Sequence, residues 1–333
     1  MHGSLSILGA GSWGTALAIQ SSRNGCKTIL WGHDKSHIQN LLIHHVNQRY
    51  LPETPFPDKL TPVHDLKSAI LSSPVILLAV PSHAFKTTLK NIQPFLTAEH
   101  KIAWATKGFD PEQDCLLHQT TEQILGKHIE TAVISGPTFA REVAMGLPTA
   151  VTIASQSEDF SSQLSKIFHN QHFRIYTSTD IIGVETGGAV KNVLAIAAGI
   201  ADGLGFGANT RAALIARGLN EIMRLGLTLG GQPDTFMGLA GLGDLVLTCT
   251  DDQSRNRRLG LALGKGLSKE QALREINQEV EGIFASREAR KLAHKLDIDM
   301  PITEQTYQVL YQNLDPEIAV QNLLNREQKP ESL

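Results

Sequence analysis

The pattern of hydrophobic positions changes character about halfway along the chain. In the first half, short apolar runs recur between polar or amphipathic stretches of helical length. The runs cover residues 5–8, 27–31, 75–80, 101–105, 132–135 and 150–153. Nearly continuous apolar strands that alternate with helices are typical of a parallel sheet covered on both faces. Residues 1–179 are therefore predicted to form a doubly wound α/β domain, which binds ligands at the carboxyl ends of its strands.

From about residue 180 the strand-like runs disappear and helical periodicity takes over. The predicted helices cover residues 180–203, 209–229, 254–263, 268–278, 284–296 and 303–312. Gln271 follows Ser268 by three positions, which is the spacing of a capping box at a helix start. Thr303 can cap the last long helix. Residues 180–333 are predicted to form an all-helical domain.

Composition narrows the class of protein. A chain of 333 residues with 41% hydrophobic and 19% charged residues is typical of two globular domains. The net charge of −3 gives no overall attraction to nucleic acid or to an anionic membrane. No stretch reaches the roughly 18 apolar residues of a membrane helix, so no membrane span is expected. Three separated cysteines, with no disulfide or metal-site spacing, favour the reducing cytoplasm.

A glycine-rich motif follows the first predicted strand. GAGSWG at residues 9–14 fits the GxGxxG pattern and opens a helical run. In that context the glycines allow a tight turn, main-chain approach to a pyrophosphate, and close packing of helix on strand. The motif predicts a dinucleotide site. His33 and Asp34 follow the second strand; a carboxylate suits ribose hydroxyls and a histidine can face a 2′-phosphate, so the choice of cofactor stays open.

Isolated charges in small, apolar surroundings mark candidate chemistry in the second half. Lys191 has glycine, leucine and alanine as its helical neighbours, so it is either a lysine whose charge reaches solvent or a buried functional one. A buried ammonium needs a partner, and Asp244 in a glycine-rich run could supply it. Ser254, Arg255 and Asn256 at a helix start suit a phosphate, although a solvated first turn has the same composition.

Several longer segments together resemble the bacterial-type NAD(P)-dependent glycerol-3-phosphate dehydrogenases. They are GAGSWGTALA at 9–18, NQRYLP at 47–52, ATKGF at 105–109, SGPTFA at 135–140, GAVKNVLAIAAGIADGLGFGANTRAALI at 188–215, GLAGLGDLVLTCT at 238–250 and SRNRRLG at 254–260. The resemblance implies a Rossmann-like domain at 1–179 and an all-α substrate-binding and catalytic domain at 180–333. It also implies a cytoplasmic homodimer that uses NAD or NADP and no metal. The implied reaction is reversible reduction of dihydroxyacetone phosphate to sn-glycerol 3-phosphate, for glycerophospholipid synthesis.

The same resemblance implies roles for individual residues. Lys191 matches the general acid or base, and Lys107 matches a second lysine of the catalytic site, which binds substrate. Asp244 and Thr248 match groups that organise Lys191 and the substrate hydroxyls. The positions that match substrate contacts are Lys107, Gly136, Thr138, Lys191, Asn192, Asp244, Ser254, Arg255 and Asn256. The positions that match cofactor contacts are Gly9, Gly11, Ser12, Trp13, Gly14, His33, Tyr50, Lys107, Ala140, Arg255, Glu279 and Glu281. His33 stands where some members have arginine, so strict NADP preference is not implied.

Two other functions remain alternatives. One is a related β-hydroxyacid dehydrogenase with a carboxylate substrate, and the other is a non-catalytic module that senses NAD(P). A short-chain dehydrogenase is disfavoured because no tyrosine is followed by lysine four residues later.

Overall fold

The computed structural model describes residues 3–327, and these residues divide into two compact units. Unit 1 comprises the chain up to Thr106 together with Leu117–Ile181, and unit 2 comprises Lys107–Leu116 and the chain from Ile182 onwards. A short segment of the first half therefore belongs to unit 2, and it carries Lys107. The outer ends of the two predicted domains, residues 1–2 and 328–333, lie outside the described residues.

The strands are concentrated in the first half of the described chain. They are β1 Ser4–Leu8, β2 Lys27–Trp31, β3 Val46–Asn47, β4 Leu51–Pro55, β5 Leu60–Val63, β6 Val75–Leu78, β7 Lys101–Trp104, β8 Phe109–Asp110, β9 Cys115–Leu116, β10 Thr131–Ser135, β11 Thr149–Ser155 and β12 Phe173–Ser178. Each of the six runs predicted from the sequence contributes a strand.

Unit 1 is built around a sheet with strand order β5-β2-β1-β6-β7-β10-β11-β12. Neighbouring strands are parallel except for the antiparallel pair β10 and β11. The order reverses beside β1, because β2 and β5 lie on one side of it and β6, β7 and β10 lie on the other. In such a sheet the carboxyl ends of the two strands at the reversal form the binding crevice. The predicted doubly wound α/β fold is confirmed.

Two outer strands of this sheet escaped the sequence analysis for physical reasons. β5 contains Pro62, which cannot donate to a ladder and is tolerated at the edge of a sheet. β12 is the other edge strand, and its side chains are mostly not fully buried, so it lacks the continuous apolar run of a central strand.

Helices cover both faces of the sheet and form most of unit 2. They are α1 Ser12–Arg23, α2 Lys35–His44, α3 Leu66–Leu71, α4 Ser82–Ile92, α5 Leu117–Leu125, α6 Ala140–Met145, α7 Glu158–Phe168, α8 Ile181–Gly203, α9 Ala208–Thr228, α10 Pro233–Met237, α11 Asp244–Thr250, α12 Arg255–Gly264, α13 Lys269–Ile276, α14 Glu281–Lys295, α15 Pro301–Gln312 and α16 Pro316–Leu324. Unit 2 is mostly helical, with the short hairpin β8–β9 added to it.

Helix α8 forms the centre of unit 2. It is long and apolar enough by length and composition to cross a membrane, so the expectation that no stretch reaches that threshold was wrong. However, 89% of its apolar window is buried inside the protein, as is typical of the core helix of a folded domain. Val190, Leu194 and Ala198 contact the other helices of the core from this helix.

One of two predicted helix starts is confirmed and the other is wrong. The capping box at Ser268 and Gln271 is present, with both reciprocal hydrogen bonds formed. Thr303 does not cap α15, since that helix begins at Pro301. The buried carboxylate of Glu221 instead accepts the main-chain N–H groups of Ile302 and Thr303, at 2.6 and 3.1 Å. A side chain distant in sequence thus replaces the local cap.

Candidate functional site

Four side chains of unit 2 form a hydrogen-bonded group, which we call the lysine cluster: Lys107, Lys191, Asp244 and Thr248. Nζ of Lys191 donates to Oδ1 of Asp244 at 2.6 Å and to Oγ1 of Thr248 at 2.8 Å. The hydroxyl of Thr248 itself donates to the main-chain oxygen of Asp244 at 2.6 Å. Its lone pairs are therefore oriented to accept the lysine proton.

Lys107 completes the lysine cluster from a different part of the chain. Its Nζ donates to Oδ2 of Asp244 at 2.7 Å, so one carboxylate bridges two ammonium groups. The carboxylate is only 1% exposed and the Lys107 side chain is 15% exposed. Two cations around one buried anion leave a net positive charge, which favours an anionic or electron-rich ligand.

Close helix packing brings Lys191 and Asp244 together. A Cβ atom on Gly187 would lie 2.5 Å from the main-chain oxygen of Ala240, so only glycine allows this approach. Lys191 lies four residues beyond Gly187, and Asp244 lies four residues beyond Ala240. Residues four apart share a helix face, so the contact sets the two charges side by side.

Ala240 belongs to a π-helical turn, Leu239–Gly243, that leads directly into α11. Such turns are rare and occur frequently at functional sites. The small residues predicted around Lys191 thus allow the main chain of another helix to come close. Asp244, the partner predicted for the lysine, forms an ion pair with it.

The surroundings of Lys191 change its acidity. The residue is 6% exposed. Burial lowers the pKa of Lys191 from 10.5 to about 8; Asp244 opposes this shift, and the charge of Lys107 adds to it. An amine with this pKa exchanges its proton near neutral pH, as a general acid or base must.

The hydrogen bonds of Lys191 leave it able to act on a ligand. An ammonium has three N–H donors. Among the contacts of the described residues, Asp244 and Thr248 take one donor each, so one remains for the oxygen of a bound molecule. The arrangement can stabilise negative charge on such an oxygen and deliver a proton to it.

A second group of polar residues lies next to this lysine. The amide of Asn256 donates to Oδ1 of Asn192 at 2.9 Å and accepts the main-chain N–H of Gly282 at 2.9 Å. Ser254 caps α12 by accepting the main-chain N–H of Arg257. Arg255 is the first residue of that helix and is half-buried. The predicted helix start is therefore present, with an arginine as its first residue.

The remaining candidates of unit 2 lie close in sequence to Gly282. Glu281 is the first residue of α14 and Glu279 immediately precedes its cap, and both are half-buried. The Gly282 N–H bond ties the start of this helix to Asn256.

In unit 1 the glycine-rich turn at residues 9–14 follows β1 and opens α1. Gly9 has φ = +123°, and a Cβ on it would lie 2.5 Å from the main-chain oxygen of Ala79. A Cβ on Gly14 would lie 1.9 Å from the main-chain oxygen of Gly9. Gly11 has open space where a Cβ would be. The turn is therefore tight on its inner side and open at Gly11, the shape that a pyrophosphate needs at a helix N-terminus.

Two side chains that sequence reasoning missed hold this turn in place. Asn47 is fully buried, and its amide donates to the main-chain oxygen of Ala10 at 3.1 Å and to Oγ1 of Thr15 at 2.9 Å. Nε2 of His37 lies 3.2 Å from the same oxygen of Ala10. The segment NQRYLP contains Asn47, so its presence among the family motifs was the available signal.

The other candidates of unit 1 lie at strand ends or in the same turn. Gly136 follows β10 with φ = +151°, and the Thr138 hydroxyl donates to its main-chain oxygen at 3.1 Å. Ala140 is the first residue of α6. Ser12 and Trp13 are the first residues of α1, and the buried indole N–H of Trp13 has no hydrogen-bond partner within residues 3–327.

The end of β2 holds the residues that bear on the choice of cofactor. His33 is exposed and Tyr50 is half-buried. Oδ1 of Asp34 caps α2 by accepting the main-chain N–H groups of Ser36 and His37, at 2.9 and 3.1 Å. The carboxylate considered for the ribose is thus engaged in helix capping. In the part of the chain that the structure describes, no group of three or more His, Cys, Asp or Glu residues could hold a metal ion.

Comparisons with known proteins give a consistent picture over the full length. Residues 4–161 match the family model for the NAD-dependent glycerol-3-phosphate dehydrogenase N-terminus, and residues 180–321 match that for the C-terminus. The chain is 54% identical over 326 residues to glycerol-3-phosphate dehydrogenase (NAD(P)+) of Colwellia psychrerythraea, covering 98% of each chain. It is 55% identical over 332 residues to the enzyme of that name from Methylococcus capsulatus, covering 99% of each.

A solved structure supports the same relationship. The crystal structure of glycerol-3-phosphate dehydrogenase from Coxiella burnetii superposes with a TM-score of 0.95 at 50% identity. The match covers 97% of this chain and 99% of that one.

Proposed function

The chain belongs to the NAD-dependent glycerol-3-phosphate dehydrogenase family, and on that premise we propose that the lysine cluster is where it acts on its ketone substrate. The enzyme is an oxidoreductase that reversibly reduces dihydroxyacetone phosphate to sn-glycerol 3-phosphate with NADH or NADPH. The product supplies the backbone of glycerophospholipids. The observation that carries the assignment of the site is the buried Lys191, with one N–H donor left for a ligand.

Lys191 acts as the general acid in the direction of reduction. NADH or NADPH, when bound, would supply the hydride that the carbonyl carbon accepts. Negative charge then develops on the carbonyl oxygen, and the ammonium of Lys191 stabilises it and donates a proton to it. In the reverse direction the neutral amine takes that proton back. Asp244 and Thr248 hold the nitrogen in place throughout, and Lys107 keeps Asp244 paired.

The glycine-rich turn holds the pyrophosphate of the cofactor. The open space at Gly11 and the N-terminus of α1 fit that group. The indole N–H of Trp13, which has no partner among the residues that the structure describes, adds a donor in the same turn. Ser12, His33, Tyr50 and Ala140 are the further contacts proposed for the cofactor in unit 1. In unit 2, Lys107, Arg255, Glu279 and Glu281 take the same role.

Arg255 and Asn256 bind the phosphate of the substrate. A guanidinium beside the N-terminus of α12 combines fixed charge with main-chain donors, which suits a phosphate. Ser254, Asn192, Gly136 and Thr138 complete the substrate contacts that we propose.

The two alternatives lose support. A sensing module that does not turn over would not need the proton-exchanging lysine, which is intact with its partners. A β-hydroxyacid dehydrogenase is not favoured by full-length relatives at more than half identity that are named glycerol-3-phosphate dehydrogenase.

A spectrophotometric assay tests the function and the phosphate contact together. Dihydroxyacetone phosphate should oxidise NADH or NADPH, seen as loss of absorbance at 340 nm, whereas small keto acids should not. Arg255→Ala should raise KM for the phosphorylated ketone without a matching loss on dihydroxyacetone. Equal losses on both ketones would contradict phosphate recognition.

We also propose that the enzyme is a cytoplasmic homodimer. Unit 2 has an apolar groove of about 410 Å³ between α8, α9, α15 and α16, and Ile318 and Leu324 are more than half exposed nearby. Such a surface supports association with a second copy. Light scattering should give twice the mass of the chain, and a monomer at micromolar concentration would refute the proposal.

A further inference from the structure

Helices α8 and α12 contact each other main chain to main chain. A Cβ on Gly199 would lie 2.2 Å from the main-chain oxygen of Arg257, and one on Gly260 would lie 2.1 Å from that of Ile196. Glycine on both helices is therefore required for this contact. The packing sets Arg257, in the first turn of α12, beside Gly199, three residues before Asp202 in the last turn of α8.

Asp202 is the centre of a buried ion-pair network with Arg257 and Arg211. Its Oδ2 accepts from Nη1 of Arg257 at 2.5 Å and from Nη1 of Arg211 at 2.7 Å. The side chains of Asp202 and Arg257 are each 9% exposed. Oδ1 of Asp202 is also buried, and within residues 3–327 it has no hydrogen-bond partner. A buried carboxylate with one unpaired oxygen is a poor source of stability. The clearer effect of Asp202 is that it holds the guanidinium groups of Arg257 and Arg211 in fixed positions.

Arg257 transmits this contact to the segment between α11 and α12. Its Nε donates to Oδ1 of Asp252 at 2.9 Å, and its Nη1 donates to the main-chain oxygen of Cys249 at 3.3 Å. One guanidinium therefore fixes the end of α11, the connecting loop and α8 relative to one another. Arg255 lies in the segment held this way, two residues before Arg257.

We propose that Asp202 is a positioning residue for substrate recognition: through Arg257 it fixes the first turn of α12 so that Arg255 meets the substrate phosphate. The inference rests on the proposed function, because it assumes that Arg255 contacts that phosphate. Asp202 itself touches neither substrate nor cofactor. It affects substrate binding only by fixing the position of α12.

The test compares a ketone with phosphate and a ketone without it. In Asp202→Asn the shape of the side chain is kept and the charge opposite Arg257 is lost. The ratio of kcat/KM for dihydroxyacetone phosphate to kcat/KM for dihydroxyacetone should fall by at least about tenfold, because misplaced binding groups lose such factors. The value for dihydroxyacetone should stay within about threefold of wild type, because the lysine cluster is unchanged.

Two matched controls isolate the buried contact. Asp252→Asn removes the charge of the other carboxylate partner of Arg257, and the amide oxygen can still accept from Nε. The side chain of Asp252 is 70% exposed, so its charge contributes little and the ratio should stay unchanged. Arg211→Met removes the second cation of Asp202 and keeps the pair with Arg257. It should change the ratio less than Asp202→Asn does.

The outcomes separate a positioning role from a structural one. Equal losses on both ketones, or no loss on either, would overturn the inference. If Asp202→Asn does not fold, Arg257→Lys decides. A single ammonium nitrogen cannot replace the separate Nε and Nη1 donors with which Arg257 reaches Asp252, Asp202 and Cys249. An unchanged ratio would again overturn the inference. Two other results would instead refute the proposed function. One is a wild-type enzyme with no activity on dihydroxyacetone phosphate, and the other is an Arg255→Ala variant whose kcat/KM for that ketone is unchanged.

Discussion

The glycine-rich turn of unit 1 works through main-chain groups, whereas the lysine cluster of unit 2 works through side chains. In the turn, six consecutive residues form a strand end, a tight bend and a helix start, and positive φ at Gly9 makes the bend possible. In the cluster, a hairpin segment, a long helix and a short helix after a π-helical turn each supply a part. The first site is encoded locally, and the second exists only once the helices have packed.

Substitutions in the glycine-rich turn and in the lysine cluster should affect different steps of the reaction. Changes in the turn should alter main-chain shape and so affect binding of the cofactor. Changes at Lys191, Asp244 or Thr248 in the cluster should alter charge and proton transfer, and leave cofactor binding intact. Each prediction below either separates these two effects or shows that they cannot be separated.

Lys191→Ala should have the largest effect. Removal of the ammonium takes away both charge stabilisation and the proton donor, so kcat should fall by at least about 100-fold, with KM for the cofactor changed less than about threefold. Steady-state kinetics with NADH and with NADPH measure both quantities. Lys265→Ala, which changes an exposed lysine of the same unit, is the control and should behave as wild type. A variant at position 191 with near-normal kcat would remove the proposed role.

Gly14→Ala should have the next largest effect, and it should change KM for the cofactor rather than kcat. The added Cβ would lie 1.9 Å from the main-chain oxygen of Gly9, so the turn must open. A loss of about 2 kcal/mol in cofactor binding raises KM for NADH by roughly 30-fold. Gly3→Ala is the matched control, since a Cβ there meets nothing within 4 Å. Thermal unfolding of both variants checks that they fold. A Gly14→Ala variant that loses kcat while its KM for the cofactor is unchanged would show that the two sites do not act separately.

The pH dependence of the two reaction directions sharpens the comparison further. Because the pKa of Lys191 is lowered to about 8, the ammonium required for reduction is present below that pH and is lost above it. The value of kcat/KM for reduction should therefore fall about tenfold per pH unit above pH 8, and that for oxidation should rise towards pH 8 and then level off.

The charge of Lys107 contributes to this shift, so Lys107→Met gives the directional test. Its removal should raise the pKa of Lys191 and move both inflections to higher pH. Gly14→Ala should leave the inflections in place. Inflections that do not move in Lys107→Met would show that another group titrates.

The contrast between the two sites also explains what could be predicted from the sequence. The doubly wound sheet and the glycine-rich turn follow from local signals, namely apolar runs and closely spaced glycines. The pair of Lys191 and Asp244 could be suggested only because a buried cation needs a partner. Neither spacing nor composition indicates that Gly187 meets Ala240, which is the contact that joins them.

Other features depended on contacts between distant residues and were missed for that reason. Glu221 caps α15 from another helix, so the local candidate Thr303 was the wrong prediction. Lys107 belongs to unit 2 although apolar strands surround it in sequence. Asn47 supports the glycine-rich turn through its side chain, and no periodic pattern marks it.

The smallest predicted effect concerns the choice between NADH and NADPH. Oδ1 of Asp34 caps α2, so the acidic residue at the end of β2 is engaged in structure, and His33 is the exposed side chain beside it. A guanidinium binds a phosphate in two-point fashion with permanent charge, which an imidazole cannot do. His33→Arg should therefore raise the ratio of kcat/KM for NADPH to that for NADH by about fivefold, worth roughly 1 kcal/mol.

His33→Ala is the companion variant and should change that ratio less than about threefold, since substitutions of exposed side chains usually have small effects. Neither variant should change kcat or the pH inflections, because position 33 supplies no part of the lysine cluster. A lower ratio in His33→Arg would mean that the 2′-phosphate lies elsewhere. A change in kcat would mean that the end of β2 and the lysine cluster are coupled, and then main-chain shape in unit 1 would bear on proton transfer in unit 2.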